Sequence, residues 1–261
     1  MAYTQVCTVL SHTYSGVVGL MKYTDEQIDK ILGIDKVEDE VTKQIPVIIN
    51  EAILDEYTKA DTLNYQPLWK LDKILVDIQN LGFICGGCFK NLFEHKAPKD
   101  YDIFFSSKDK FNYAVKMLNK SDKYTAGYHN DKVISFINKE EGYRLELNHS
   151  EWGKPLEVID TFDFTITQFA YYWHSDINGE DSDNDGYNVV FNKNFFEHLY
   201  MKRLVVHSLP YPVSSFNRSY RYAKYGYQLC RESKVKLIQA LQSSSLVEDE
   251  DLDGGLYDGK D

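Results

Sequence analysis

Two aspartates in one short apolar segment offer the clearest chemistry in this sequence. Asp100 and Asp102 lie in the stretch KDYDIFF, which reads as a β-strand. Side chains alternate between the two faces of a strand, so both carboxylates share one face while Tyr101 and Ile103 point to the other. Carboxylates crowded in this way raise each other's pKa unless a cation holds them together. Mg²⁺, which binds carboxylates and substrate phosphates, suits such a pair. A solvated loop with two acids is the alternative.

A glycine turn precedes the aspartates. The apolar run 81–85 predicts a strand that ends at Gly86 and Gly87, where the backbone can adopt angles and close approaches that side chains forbid. The next segment, 89–95, predicts a short helix whose N-terminal N–H groups face the turn. A phosphate group is therefore expected to bind there.

A third carboxylate is predicted on a later strand. Alternation in the segment YRLELN places Glu146 on one face together with Arg144, so Glu146 could stand beside the two aspartates. Two metal ions held by such carboxylates clamp the attacking and leaving oxygens of a displacement at phosphorus. Two alternatives stay open. Asp160 or Asp163 supplies the third acid, or Glu146 is a surface residue paired with Arg144 or a lysine.

Three stretches resemble one superfamily. GGCFKNLF followed by KDYDIFF resembles the glycine-glycine and DxD motif of polymerase-beta-type nucleotidyltransferases, in particular the head of bacterial-type CCA-adding enzymes and poly(A) polymerases. FDFTITQFAY, residues 162–171, is similar to that family's RRDFTINALAY segment. RSYRYAKYGY, residues 218–227, is similar to its neck helix RAVRFAARFGF and one residue shorter. The motifs keep the family's order, and the resemblance covers about residues 71–239.

The resemblance implies both a fold and a reaction. The fold is α/β (α+β), with a mixed-sheet nucleotidyltransferase head followed by a helical neck. The reaction is transfer of a nucleoside monophosphate from an NTP to a hydroxyl acceptor, with release of pyrophosphate. Two Mg²⁺ ions, or Mn²⁺, are implied to bind the catalytic Asp100, Asp102 and Glu146. The implied nucleotide-binding residues are Gly86, Gly87, Lys90, Asp163, Arg218 and Arg221.

The sequence departs from the family pattern at several positions. Thr-Phe at 161–162 stands where the family has paired arginines, Thr167 replaces its Asn, and Lys-Asn at 90–91 replaces Arg-Asp. A lysine meets a phosphate as a point charge without arginine's bidentate fork, so nucleotide selectivity does not carry over. Asp163 belongs by resemblance to the segment that contacts the ribose, but an Asp at this place also suits a helix N-cap.

Composition predicts a globular chain of one large or two small domains. Its 261 residues are 43% hydrophobic, which is enough for a sizeable core. The net charge of −11 argues against a surface that is basic all over. Residues 248–261 contribute seven acids and one lysine, so the remainder could still hold a basic face. No long apolar run and no cleavable leader occurs, and we expect a soluble, cytoplasmic protein without membrane contact.

Two local patterns suggest other metal chemistry. Cys85 and Cys88 form a C-x-x-C pair, which permits a redox dithiol or half a zinc site, although two small thiols beside a turn is the simpler interpretation. The loop at 176–188 copies the front of an EF-hand loop from Asp181 onward. Its twelfth position is Asn192, which cannot supply a bidentate carboxylate, so an acidic turn is the alternative.

The elements that would position these residues follow from periodicity. Helical spacing predicts two helices within 23–57, the first starting near Thr24, and further helices over 68–81, 108–118, 195–206 and 216–240. Alternation predicts strands over 124–128, 132–137 and 143–148. We expect four segments: an N-terminal helical extension over 1–67, the head over 68–174, the helical neck over 175–242 and a disordered acidic tail over 243–261.

The predicted neck interleaves basic residues with tyrosines. This pattern suits a triphosphate, base stacking or an RNA strand, although a solvated helix face with core tyrosines explains it equally well. An RNA 3′ end is the expected acceptor, and a protein side chain or a small molecule is the alternative. An inactive head that only binds a nucleotide or a partner is the competing class of function. The basic residues are Lys202, Arg203, Arg218, Arg221, Lys224, Arg231, Lys234 and Lys236.

Overall fold

The computed structural model describes residues 21–33, 54–60, 65–174 and 186–244. Helix α1, Asp25–Leu32, begins at Thr24 as predicted: the Thr24 side chain accepts from the Gln27 N–H, and the Gln27 side chain accepts from the Thr24 N–H. The second helix predicted before residue 57, the EF-hand-like loop at 176–185 and the acidic tail from 245 onward lie outside the described residues.

One eight-stranded mixed sheet forms the centre of the molecule. The strand order is β1-β8-β7-β2-β3-β6-β5-β4, and every neighbouring pair is antiparallel except β3 and β6, which run parallel. The three strands predicted between residues 124 and 148 are confirmed as β4, β5 and β6. The strands are β1 Tyr57–Ala60, β2 Gly82–Cys85, β3 Asp100–Phe105, β4 Tyr124–His129, β5 Val133–Asn138, β6 Arg144–Trp152, β7 Phe169–His174 and β8 Gly186–Asn192.

Helices cover both faces of this sheet. The helices after α1 are α2 Trp69–Asp77, α3 Cys88–Phe93, α4 Lys108–Lys120, α5 Pro155–Asp160, α6 Phe195–Tyr200, α7 Pro212–Lys224 and α8 Arg231–Ser243. The predicted α/β class, a mixed sheet followed by helices, is confirmed at the level of architecture. The sheet extends beyond the 68–174 segment at both ends, since it includes β1 and β8. None of the helices in the described ranges is long and apolar enough to cross a membrane.

Strand alternation divides the core into two clusters. Ile103 and Phe105 of β3 belong to the main cluster with α2 and α4, whereas Phe104 belongs to a smaller cluster with α5 on the opposite face. Asp100 and Asp102 therefore share the face of Phe104 and precede it along β3.

The neck helices are shorter than periodicity predicts. The helix expected over 195–206 ends at Tyr200, because Arg203–Leu204 pairs as strand β9 with Gln228–Leu229, strand β10. The helix expected over 216–240 is likewise two helices, α7 and α8, separated by Gly226 at φ +87° and by β10. A helical repeat of apolar residues does not detect a glycine turn or a pairing between distant segments.

Candidate active site

Strand pairing brings the three predicted carboxylates to one face of the sheet. In the parallel register of β3 and β6, Asp102 lies opposite Glu146 and Asp100 lies opposite Arg144. Asp100 is largely exposed, whereas Asp102 and Glu146 are partly buried. Asp100, Asp102 and Glu146 are called the carboxylate cluster below.

The other two candidates for the third acid have partners of their own. Asp160 accepts a hydrogen bond from the Tyr57 hydroxyl at 2.9 Å, and its Oδ1 lies 3.0 Å from His207 Nε2. Asp163 is buried, with its Oδ1 3.1 Å from Arg218 Nη1. It does not cap an α-helix, since a 3₁₀ turn follows it. Glu146, in contrast, lies directly opposite Asp102 in the register of β3 and β6.

Burial and crowding shift Asp102 and Glu146 toward their protonated forms. Burial and the charges of Glu146 and Asp100 together raise the pKa of Asp102 to about 7, against the opposing effect of Arg218 and Arg221. Burial likewise raises the pKa of Glu146, with Asp100 adding to the effect and a hydrogen bond from Tyr128 opposing it. The cluster thus holds more negative charge than its neighbours compensate.

The glycine turn packs directly against Asp102. Gly86 has φ +93°, an angle that residues with a side chain rarely adopt, and its N–H donates to the Phe169 carbonyl at 3.2 Å. A Cβ atom at Gly86 would lie 3.2 Å from Asp102 Oδ2. The absence of a side chain at residue 86 is what lets the backbone turn and the carboxylate share this space.

Tyr128 supports Glu146 and was not among the predicted residues. A bulge in β4 brings Gly127 so close to β5 that a Cβ there would lie 2.3 Å from Ser135 Oγ. Ser135 Oγ accepts from the Tyr128 N–H at 2.7 Å and donates to the Tyr128 carbonyl at 2.8 Å. The Tyr128 hydroxyl then donates to Glu146 Oε1 at 2.7 Å. The small residues Gly127 and Ser135 are the sequence signal that could have indicated the bulge.

Arg144 also contacts the cluster. Its Nη1 lies 3.2 Å from Asp100 Oδ1 and 3.8 Å from Glu146 Oε1. Glu146 therefore lies beside the two aspartates and also near Arg144, so both interpretations made from the sequence describe a contact that the structure contains. Among the described residues, no three His, Cys, Asp or Glu side chains lie close enough together to hold a metal ion.

The neck helix α7 closes over the glycine turn. The charges of Arg218 and Arg221 both lower the pKa of Asp102, so both guanidinium groups lie within electrostatic reach of that carboxylate. Arg218 pairs with Asp163 and is hydrogen-bonded to Tyr222. The Tyr222 hydroxyl would lie 3.7 Å from a Cβ at Gly87. The predicted nucleotide-binding residues of the head and of the neck thus meet at one place.

Other predicted contacts are engaged within the protein. Lys90 is buried, donates to Asn91 Oδ1 and lies with its Nζ 4.7 Å from the centre of the Tyr225 ring. Thr165 Oγ1 lies 2.8 Å from His198 Nδ1, and Thr167 Oγ1 donates to the Phe164 carbonyl at 2.7 Å. A ligand could reach these groups only after they exchange partners.

The C-x-x-C pair is neither oxidised nor exposed. Cys85 and Cys88 are free and buried. Burial, reinforced by the charge of Asp102, raises the pKa of both thiols well above the ordinary value. This favours the interpretation of two small thiols beside the turn, because a redox or metal-binding cysteine requires the thiolate.

A sequence family contains this chain. The model of the Gabija anti-defense 2 family matches residues 51–202, which is more than half of the chain. The chain belongs to this family. A curated relative from Bacillus phage SPbetaL7, named "Gabija anti-defense 2", is 24% identical over 184 residues. That match covers 69% of this chain and 42% of the relative, so the chain spans less than half of that protein's length.

Solved structures of CCA-adding enzymes align with this family member. A CCA-adding enzyme with CTP has a TM-score of 0.49 and 15% identity, over 72% of this chain and 47% of that enzyme. The Thermotoga maritima CCA-adding enzyme complexed with tRNA has a TM-score of 0.47 and 15% identity, over 74% and 44%. A CCA-adding enzyme with ATP has a TM-score of 0.48.

Proposed function

We propose that this Gabija anti-defense 2 family member is a metal-dependent nucleotidyltransferase that moves a nucleoside monophosphate from an NTP to a hydroxyl acceptor and releases pyrophosphate. The observation that carries the proposal is the carboxylate cluster. Asp102 and Glu146 are register partners on adjacent parallel strands, and Asp100 shares their face. A glycine turn packs on one side of Asp102, and two arginines of the neck lie within electrostatic reach of it.

The donor types of the cluster suit a divalent cation, although the three carboxylates do not lie close enough together in this structure to hold one. Three carboxylates offer the oxygen ligands that Mg²⁺ and Mn²⁺ prefer. The pKa of Asp102 is raised to about 7 by burial and by the neighbouring acids, so a bound cation would relieve an unfavourable concentration of negative charge. When bound, such ions lower the pKa of the acceptor hydroxyl and neutralise charge on the triphosphate.

The protein's own residues would bind and orient the substrate. Gly86 and Gly87 would let the backbone approach a phosphate closely, because neither residue carries a side chain, although the Gly86 N–H already donates to the Phe169 carbonyl. Arg218 and Arg221 reach the triphosphate or the base from the neck, and Asp163 holds Arg218 in position through the 3.1 Å ion pair. Tyr128 positions Glu146 by the hydrogen bond to its carboxylate. Lys90 has a phosphate-binding role only if its ammonium leaves Asn91 and Tyr225.

An RNA 3′ end is the first acceptor that we propose. The basic and aromatic residues of the neck support it, since such residues bind phosphates and stack on bases. The family name suggests a second class of acceptor, a protein, for the same transfer reaction. Following the name of the phage relative, we propose that the chain acts against the Gabija defence, and a component of that defence would then be nucleotidylated.

Transfer of label tests the reaction and its acceptor together. The protein is incubated with each α-labelled NTP, Mg²⁺, total RNA and a bacterial protein extract. Asp102→Asn is the inactive variant, and Asp109→Asn, an exposed acid at the start of α4, is the matched control. Label in RNA or in protein that requires Asp102 but not Asp109 supports the proposal and identifies the acceptor class. Equal labelling by the wild type and Asp102→Asn would refute it.

A second function has its own supporting observation. Arg144 contacts two of the three acids, as expected if an arginine has permanently replaced the metal. The protein would then bind a nucleotide or a partner without catalysing transfer. NTP binding without any labelled product, in Mg²⁺ and in Mn²⁺, would favour this function over the enzyme.

A further inference from the structure

Four charged side chains form a two-by-two patch on the sheet surface. Asp100 and Asp102 alternate with buried residues on β3, and Arg144 and Glu146 do the same on β6. Because the strands are parallel and in register, Arg144 is the direct neighbour of Asp100, just as Glu146 is of Asp102. The patch contains three acids and one permanently charged group, the guanidinium of Arg144.

The guanidinium of Arg144 contacts two of those acids with one nitrogen. Nη1 lies 3.2 Å from Asp100 Oδ1 and 3.8 Å from Glu146 Oε1. The Tyr128 ring lies 5.3 Å from Arg144 Cζ, while the hydroxyl of the same tyrosine donates to Glu146. Arg144 is therefore held against the acids that a metal ion would need.

These contacts are weaker than those of a permanent structural ion pair. Neither carboxylate receives the two parallel hydrogen bonds that a guanidinium can give. Arg144 Nε is buried and has no hydrogen-bond partner. The Arg144 side chain is 35% exposed and that of Asp100 is 45% exposed, so water screens the attraction and can solvate both groups when they separate. The arginine can leave without breaking the fold.

We propose that Arg144 is an exchangeable counter-cation, which neutralises Asp100 and Glu146 while no divalent ion is bound and is displaced when the ion binds. This inference rests on the proposed metal-dependent function. It explains why three acids share one face although no three acidic side chains of the described residues already form a metal site. It also gives Arg144 an effect on metal affinity, because the guanidinium competes with the ion for the same carboxylates.

Mn²⁺ binding to the full chain in the absence of NTP tests the exchange. Arg144→Gln removes the competing charge and keeps a polar side chain of similar length. Lys123→Gln is the matched control, because it removes one cation from a surface ion pair with Asp77 at 2.7 Å, outside the cluster. The Mn²⁺ dissociation constant is measured by titration calorimetry and by the electron paramagnetic resonance signal of free Mn²⁺.

The expected result is tighter Mn²⁺ binding by Arg144→Gln, by about tenfold or more, with a change of less than twofold for Lys123→Gln. Arg144→Lys, which keeps the charge but not the fork, should fall between Arg144→Gln and the wild type. Mn²⁺ should also raise the melting temperature of Arg144→Gln more than that of the wild type. This second measurement shows whether the variant is folded.

Unchanged or weaker Mn²⁺ binding by a folded Arg144→Gln would overturn the inference. If the wild type still transfers label from NTP, only the role of Arg144 fails. If neither protein binds Mn²⁺ and no label is transferred, the metal-dependent function fails as well, and Arg144 has replaced the metal permanently.

Discussion

Two partly buried carboxylates in this protein have opposite environments. Glu94, at the end of α3, accepts hydrogen bonds from Lys96, Lys202 and the Tyr227 hydroxyl. Burial raises its pKa, but the hydrogen bonds from Lys202, Lys96 and Tyr227 outweigh burial and lower the pKa to about 2. Asp102 meets other acids instead, and burial together with Glu146 and Asp100 raises its pKa to about 7.

The difference distinguishes a structural acid from a candidate ligand-binding one. The fold itself supplies all three donors to Glu94, so this carboxylate stabilises the contact between head and neck. At Asp102 the fold supplies competing negative charge, and the charges of Arg218 and Arg221 oppose it without reversing the shift. A carboxylate left uncompensated in this way marks a functional site more often than a structural one.

The largest expected effect concerns Asp102. Asp102→Asn should reduce the transfer rate on the order of a thousandfold, about 4 kcal/mol of transition-state stabilisation. The free energy of unfolding without metal should stay the same or increase, because the change removes a crowded charge. Labelled-NTP assays and urea denaturation measure the two quantities. A large loss of stability would place Asp102 in the same class as Glu94.

Glu94 should give the opposite result. Glu94→Gln should lower the free energy of unfolding by about 2–3 kcal/mol at pH 7, because it leaves two lysines without their carboxylate; the value is reduced for their exposure. The effect on the transfer rate should be small compared with that of Asp102→Asn. Urea denaturation with Lys123→Gln as the surface control tests this, and an unchanged stability would contradict the comparison.

The two acids should also respond oppositely to pH. The pKa of Glu94 is lower in the folded than in the unfolded state, so its stabilisation is lost as the pH falls from about 4.5 to about 2. The pKa of Asp102 is higher in the folded state, so stability decreases as the pH rises from about 4 to about 7. The free energy of unfolding is measured without metal across pH 2–8. Glu94→Gln should abolish the loss of stability at low pH, and Asp102→Asn should abolish the decrease between about pH 4 and pH 7. If each variant leaves its own trend intact, the assigned pKa shifts are wrong.

The glycines beside Asp102 provide a smaller, matched test. Gly86→Ala should destabilise the protein by about 1–2 kcal/mol, since φ is +93° and the new Cβ would press on Asp102 Oδ2. Gly87 has φ −68° and ψ −18°, and a Cβ there would make only ordinary contact, so Gly87→Ala should change stability by less than about 0.5 kcal/mol. Thermal unfolding compares the two. Equal effects would show that the turn does not constrain Asp102.

The smallest expected effect concerns Tyr128. Tyr128→Phe removes the hydroxyl that donates to Glu146 and should lower the transfer rate by about fivefold, or about 1 kcal/mol. Tyr113→Phe, on the exposed face of α4, is the control. The rate is measured at saturating NTP with Mg²⁺. A full rate in Tyr128→Phe would mean that Glu146 needs no positioning.

Local pattern determined much of the candidate site from the sequence. Period-2 alternation was sufficient to place Asp100 and Asp102 on one face, and the apolar run before Gly86 was sufficient to predict a strand and a turn. Both features depend on residues within a few positions of one another, where backbone geometry leaves few alternatives. The helix starting at Thr24 followed from its cap for the same reason.

Only the tertiary structure decided which distant residues meet. The parallel register of β3 and β6 set Glu146 beside Asp102 and Arg144 beside Asp100, while Asp160 and Asp163 paired elsewhere. The β4 bulge brought Tyr128 to Glu146, and packing against the neck engaged Lys90 with Tyr225. Register and helix packing depend on the fit of surfaces far apart in the chain. The residue types and spacing of this sequence therefore predicted the chemistry, while the long-range pairing of strands and helices decided the partners of each charge.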